Sequence, residues 1–173
     1  MSGGTQTLRE FQQALFERLR NASTEDPARS SRLAFEAGGL SWFMRLEEAQ
    51  EVVSVVPIVG VPLARPWYRG LVNVRGNLFS VVDLGCMASG ALARIDPGSR
   101  LVLLADRFRL GAALLVDRVI GLRSIEGFVT VDEAPASRPD GLNQRLRSAD
   151  GVLWHELSVP ALAHGSEFLH TGF

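Results

Sequence analysis

Three histidines, one cysteine and a Ser-His-Glu neighbourhood are the residues of this 173-residue chain that could do chemistry. His155, His164 and His170 all lie near the C-terminus. Their separations do not put two of them on one helical face at i, i+4, so they do not read as a metal site. Ser158 beside His155 and Glu156 offers the residue types of a hydrolytic triad. Triads, however, are assembled by the fold from distant positions, and neighbours in sequence seldom converge in space. Cys86 follows an apolar run, and a thiol becomes nucleophilic only when a cation, a base or a helix N-terminus stabilises its thiolate. No sequence feature points to such a partner, so Cys86 reads as a small buried hydrophobe. Trp42, Trp67 and Trp154 could stack on nucleic-acid bases, but without a basic stripe they read as core or interface anchors.

Composition narrows the classes further. The 18 basic residues are all arginine, which removes lysine Schiff-base chemistry and the lysines of P-loops and kinases. The net charge of −1 supplies no long-range field for nucleic acid or an anionic membrane. A single cysteine allows no intrachain disulfide and fits a reducing, cytoplasmic setting. No signal-peptide pattern and no apolar run long enough to span a membrane is present, so direct membrane insertion is not expected. The motifs of dinucleotide binding, P-loops, zinc proteases and α/β-hydrolases are absent. The expectation is a binding module with no catalytic residues, no cofactor and no metal. The alternative is a small-molecule-binding or hydrolytic β-barrel built around His155.

The elements that would position such residues are mostly strands. Residues 7–22 read as a helix, with Thr7 and Glu10 as a capping box and Leu8, Phe11, Leu15 and Leu19 at helical spacing. It lies on the domain or binds a partner. From Arg32 the period changes to 2. Leu33 and Phe35 lead into a Gly38-Gly39 turn, and Leu40, Trp42, Met44 and Leu46 lead out, which predicts a hairpin with one apolar face. Glu51 to Val56 forms a third strand, broken off by Pro57, Pro62 and Pro66. A second β-rich block starts at Arg100, with Leu101 to Ala105 and Leu110 to Val116 as buried strands and Asp117 to Leu122 continuing the same sheet. Residues 127–149 read as a long loop with room for one turn of helix. A last strand, Gly151 to Leu157, precedes a short helix from Ser158 to about Phe168. The pattern divides the chain into an N-terminal helix and linker (1–30) and a domain over 31–169. That domain has two β subdomains, approximately 31–84 and 100–157, and the last strand is free to complete the first.

Between the β blocks, residues 70–84 form one more hairpin. Leu71, Val72 and Val74 lead in, and Leu78, Phe79, Val81 and Val82 lead out. Gly76-Asn77 reads as the two-residue turn, Arg75 sits just before it, and Asp83 is placed to cap the next element. The pattern G-x-x-N-x-R-G-x-x-x-x-V-x-D-L over Gly70 to Leu84 resembles the signature hairpin of the CheW family, the adaptors of bacterial chemotaxis arrays. Four further segments are similar in the right order: the first hairpin, the strand around Glu51, Leu110 to Leu122, and Gly151 to Leu162. The N-terminal helix and the ending P-A-L-A-H-G-S-E-F-L look most like the members that serve type IV pilus twitching motility.

The resemblance implies a mainly β fold of two SH3-like five-stranded β-barrels sharing an apolar core, here with an added N-terminal helix and a short C-terminal helix. It implies non-catalytic coupling of a methyl-accepting chemoreceptor's cytoplasmic tip to the regulatory domain of a CheA-type, here hybrid, histidine kinase. The family's functional arginine falls on Arg75 and its acidic partner on Glu51. The pair is a structural salt bridge, a partner contact, or both. Asn73 and Gly76 belong to the implied partner-binding set chiefly by shaping the hairpin, and Val53, Val55 and Val56 by lining a groove between the barrels for the receptor. The family usually has proline where this chain has Ser80, so the outgoing strand is expected to pair more fully here.

Overall fold

The computed structural model describes residues 31–132, 141–165 and 168. The helix expected over residues 7–22 lies outside the described residues.

Eleven strands and two short helices are formed among the described residues. In chain order they are β1 (Ser31–Ala37), β2 (Leu40–Arg45), β3 (Ala49–Ser54), β4 (Tyr68–Val74), β5 (Asn77–Asp83), α1 (Leu84–Ser89), β6 (Arg100–Leu104), β7 (Ala112–Val116), β8 (Arg118–Ser124), β9 (Val129–Asp132), β10 (Leu142–Arg147), β11 (Leu153–Leu157) and α2 (Val159–His164). They make two sheets. The first has the order β8-β1-β2-β11-β10-β9 and the second β3-β6-β7-β5-β4. The first sheet therefore has six strands, one more than the five the resemblance implies. Neighbours are antiparallel except β2 with β11 and β5 with β7. Strands from residues 31–84 and from 100–157 enter both sheets, and β11 returns to lie beside the first hairpin.

Apolar patterning explains the two sheets, with one departure. The alternation in the first hairpin predicts one buried face. Leu33, Phe35, Ala37, Trp42 and Met44 do face one cluster, which also takes Val82, Val102, Leu114, Leu157 and Leu162. Ala34 and Phe43, on the other face, are equally buried in a separate cluster with Leu146 and Trp154. Two sheets share the first cluster, so β1 and β2 are covered on both sides and strict apolar–polar alternation does not hold. A third cluster (Val72, Phe79, Val81, Leu101, Leu103, Ala113 and Leu115) lies within the second sheet. The Gly38-Gly39 turn forms as expected, both residues having φ > 0 (61° and 74°). Gly38 meets Gly85 backbone to backbone, with no room for a Cβ on either.

Two expectations fail on long-range pairing. Residues 117–122 do not continue the sheet of β7. The chain turns at Asp117, whose N–H donates to the Glu36 carbonyl (2.8 Å), and β8 pairs with β1 in the other sheet. The stretch read as a long loop contains β9 and β10. The pairing of β10 with β11, and of β9 with β10, holds polar residues such as Gln144 in extended conformation, where local composition predicts a loop.

Candidate partner-binding site

The β4–β5 hairpin is built differently at its two ends. At the tip, Val74 pairs with Asn77, so the two-residue turn is Arg75-Gly76 and not Gly76-Asn77. Both turn residues have positive φ, 52° at Arg75 and 88° at Gly76. That is the pattern of a type I′ turn, whose twist suits the flanking strands. Arginine in this region costs about 1 kcal/mol against an extended conformation. The Asn73 side chain offsets the cost, because its Oδ1 accepts a hydrogen bond from the Gly76 N–H (2.8 Å). Arg75 is thus part of the turn itself.

The Arg75 guanidinium reaches Glu51 on β3 in a two-pronged contact. Nη1 donates to Oε2 (2.8 Å) and Nη2 to Oε1 (2.6 Å). Strands β3 and β4 are opposite edges of the second sheet, so the fork joins edges that share no ladder. The pair is solvated, its side chains 72% and 35% exposed. A pair in that setting contributes about 0.2–1 kcal/mol. Glu51 sits on the half-buried side of β3 with Ala49 and Val53, while Gln50, Val52 and Ser54 face solvent.

At the base, Asp83 is fully buried. Its Oδ1 accepts from the Cys86 N–H (2.9 Å) and caps α1, as expected. Its Oδ2 accepts from Arg69 Nη1 (2.9 Å) and from the Ala93 N–H (2.8 Å). One carboxylate thereby joins strand, helix and the 91–95 loop. Sequence reasoning missed Arg69; the buried Asp83 of the signature was the signal that a cation had to meet it. Gly70 has φ of +126°, and a Cβ there would lie 2.0 Å from the Val59 carbonyl oxygen. The close approach lets Val59 and Leu71 exchange two backbone hydrogen bonds of 2.8 Å. Ser80 donates its N–H to the Gly111 carbonyl (2.8 Å), a bond proline could not make, so β5 pairs fully here.

Val53, Val55 and Val56 pack partly buried against the cluster within the second sheet. Val55 and Val56, with Pro57, Ile58, Arg69 and Ile95, line an open groove of about 570 Å³. All these lining residues belong to the 49–116 stretch. The structure thus brings Arg75, Glu51, Asn73 and Gly76 together at the tip and sets Val55 and Val56 in a groove that also takes Arg69 from the base of the hairpin.

Among the described residues, which leave out His170, the other chemistry-bearing side chains do not converge. His155 Nδ1 lies 3.2 Å from the Ser41 carbonyl and its ring packs on Trp42, and burial holds the imidazole below its ordinary pKa. The Glu156 carboxylate accepts from Asn143 and Gln144 instead (2.8 Å each). Ser158 caps α2 by accepting from the Ala161 N–H. Burial pushes the Cys86 thiol up, away from a reactive thiolate. Trp42 and Trp67 lie in the shared core and Trp154 in the first sheet's own cluster. Among the described residues no cluster of His, Cys, Asp and Glu could hold a metal ion.

Residues 32–167 match the family model described as CheW-like domain. The chain belongs to the CheW-like domain family. Over 93 residues it is 29% identical to Protein PilI of Pseudomonas aeruginosa, a match covering 54% of this chain. The chain spans about half of that relative's length (52%). In three dimensions the CheW-like domain is similar to the scaffolding protein TtCheW from Thermoanaerobacter tengcongensis, with a TM-score of 0.63 at 18% identity. That similarity covers 76% of this chain and 85% of TtCheW. Among the described residues, no helix of this CheW-like domain is long and apolar enough to cross a membrane.

Proposed function

We propose that this CheW-like domain is a non-catalytic adaptor. It couples the cytoplasmic tip of a methyl-accepting chemoreceptor to the regulatory domain of a CheA-type hybrid histidine kinase. The likeness to PilI supports a place in type IV pilus signalling, in the cytoplasm at membrane receptor arrays. The working unit is residues 31–169, with each sheet curled into an SH3-like barrel around its own small cluster and the two sharing the larger core. Closure of the second barrel is supported by two links to its β4 edge: the Val59–Leu71 bridge from the segment that follows β3, and the fork from Glu51 on β3 to Arg75 just past β4.

The observation that carries the partner contact is the solvated fork at the hairpin tip. A guanidinium held at a fixed angle by a positive-φ turn, and steadied by a carboxylate, presents its remaining N–H donors to an approaching protein. Little fold stability depends on it, so its fixed geometry is available for recognition. Val53, Val55 and Val56 supply the adjoining apolar surface.

The test is a pull-down with wild type and Arg75→Glu against the kinase regulatory domain and a receptor tip fragment. Wild type is expected to retain both partners, and folded Arg75→Glu to lose one. Retention of both by the variant would remove Arg75 from the interface. Failure of folded wild type to bind either partner would overturn the adaptor reading.

A further inference from the structure

Glu48 is a buried carboxylate at the junction of the two sheets. It closes the short 46–48 turn through which the chain passes from β2 in the first sheet to β3 in the second. Only 2% of the residue is exposed. Two elements converge on it. Its backbone carbonyl accepts from the Ala105 N–H (2.9 Å), which comes directly after β6 in the second sheet. Its Oε2 accepts from the N–H of Val159 (3.4 Å), the first residue of α2, which comes after β11 in the first sheet. One residue therefore ties the crossing from β2 to β3 both to the end of β6 in the second sheet and to the start of α2 behind β11 in the first.

The carboxylate makes no ion pair among the described residues. The charged groups around it come from several elements. Arg45 ends β2, Arg107 lies in the 106–108 turn, and Glu156 is on β11. Arg107 is engaged by Glu47, at 3.6 Å. From α2 it meets a backbone N–H, and the helix's titratable His164 turns back to the Pro160 carbonyl. A buried carboxylate with so weak a set of partners is harder to ionise than one in water.

We propose that Glu48 is a pH-sensitive latch on the junction of the two sheets, closed when neutral and loosened when ionised. Burial, opposed by the Val159 hydrogen bond and the two arginines, raises its pKa above the ordinary 4.5. A folded-state pKa above the unfolded value sets the sign. The stabilising contribution is complete below pH 4.5 and is lost as pH rises through the raised value.

Two measurements on the whole protein test this. The first is a carbon-13 titration of the Glu48 side-chain carboxyl in the wild type. The second is amide hydrogen exchange of wild type and Glu48→Gln, compared at matched pH. Glutamine keeps an acceptor oxygen toward Val159 and removes the titration. The titration should fall above 4.5, and as pH rises through it the Ala105, Val159 and Leu162 amides should lose more protection in wild type than in Glu48→Gln, about tenfold for each unit of elevation. The Val102 amide, in the core of the second sheet, should not distinguish the two. A carboxyl titrating at or below its ordinary value, or protection that runs parallel in the two proteins, would overturn the latch. If Glu48→Gln does not fold, the wild type decides alone: the Ala105 and Val159 amides must lose protection relative to Val102 across the Glu48 carboxyl titration, and protection that runs parallel at all three overturns the latch.

Discussion

The two ends of the β4–β5 hairpin each carry an arginine–carboxylate pair, and they do opposite things. At the base, Asp83 is fully buried and takes three hydrogen bonds besides closing its strand. At the tip, Glu51 and Arg75 make the tighter-looking fork but stand largely in water. A short distance is therefore a poor guide to what a pair contributes. The buried carboxylate cannot lose its partners without leaving a charge in the core, whereas either member of the exposed pair can be rehydrated. A third pair, Arg118 with Glu36, has the same forked geometry as the tip, with distances of 2.6 and 2.7 Å. It joins residues already opposite each other in the β1–β8 ladder, so it repeats a link the backbone makes. The Arg118 hydrogen bond holds the Glu36 carboxyl below its ordinary value. The Arg75–Glu51 fork joins strands that no ladder connects, which is why its geometry carries information the sheet does not.

The contrast is broken most directly at the base. Asp83→Ala is expected to destabilise the fold by about 3–5 kcal/mol, since it strips a partner from Arg69 and leaves the Cys86 and Ala93 N–H groups without an acceptor. Urea unfolding measures this, and a loss no larger than that of Arg75→Ala would erase the distinction between the two ends. Next in size is Gly70→Ala. The new Cβ would meet the Val59 carbonyl at 2.0 Å in a backbone conformation with φ of +126°. About 2–3 kcal/mol should be lost, along with the Val59–Leu71 bridge, seen as faster exchange of the Leu71 amide.

Ser80→Pro tests a smaller link in the same hairpin. It removes the N–H given to Gly111 and the hydroxyl that meets Tyr68 at 3.1 Å. A cost of about 1 kcal/mol is expected, read as a lower urea midpoint at unchanged m-value. That fuller pairing is legible once the family resemblance supplies the usual proline, whose missing donor is a property of the residue alone. So are the Gly38-Gly39 turn, the capping by Asp83 and the presence of Arg75 at the tip, all of which depend on residues within a few positions of each other. The pattern misplaces the tip turn by one residue because Gly-Asn is itself a good turn pair. The deciding contact is Asn73 to Gly76, a local signal that could have been used. What short-range pattern does not supply is partner choice. It does not show that β8 leaves the sheet of β7 for β1, that β1 and β2 are buried on both faces, or that Arg69 meets Asp83. The first two depend on packing between segments far apart in the chain, the third on the register of the β4–β5 hairpin at its bulge, and the Glu51–Arg75 pairing enters only through the family resemblance.

The smallest expected effect on stability is the most informative about function. Arg75→Glu and Glu51→Arg should each change stability by no more than about 1 kcal/mol, because the fork is solvated and like charges at the tip can relax into water. The double exchange rebuilds a fork with its ends reversed and should recover most of that loss. If the fork serves only to tie the hairpin tip to β3, binding to the kinase domain and the receptor tip should recover with stability. If Arg75 itself touches a partner, the double variant should be as stable as wild type and still fail to bind. The reading of Arg75 as a partner contact requires the second result. A double variant that binds both partners as wild type does would make the tip a second structural pair, and the contrast between the two ends of the hairpin would reduce to burial alone.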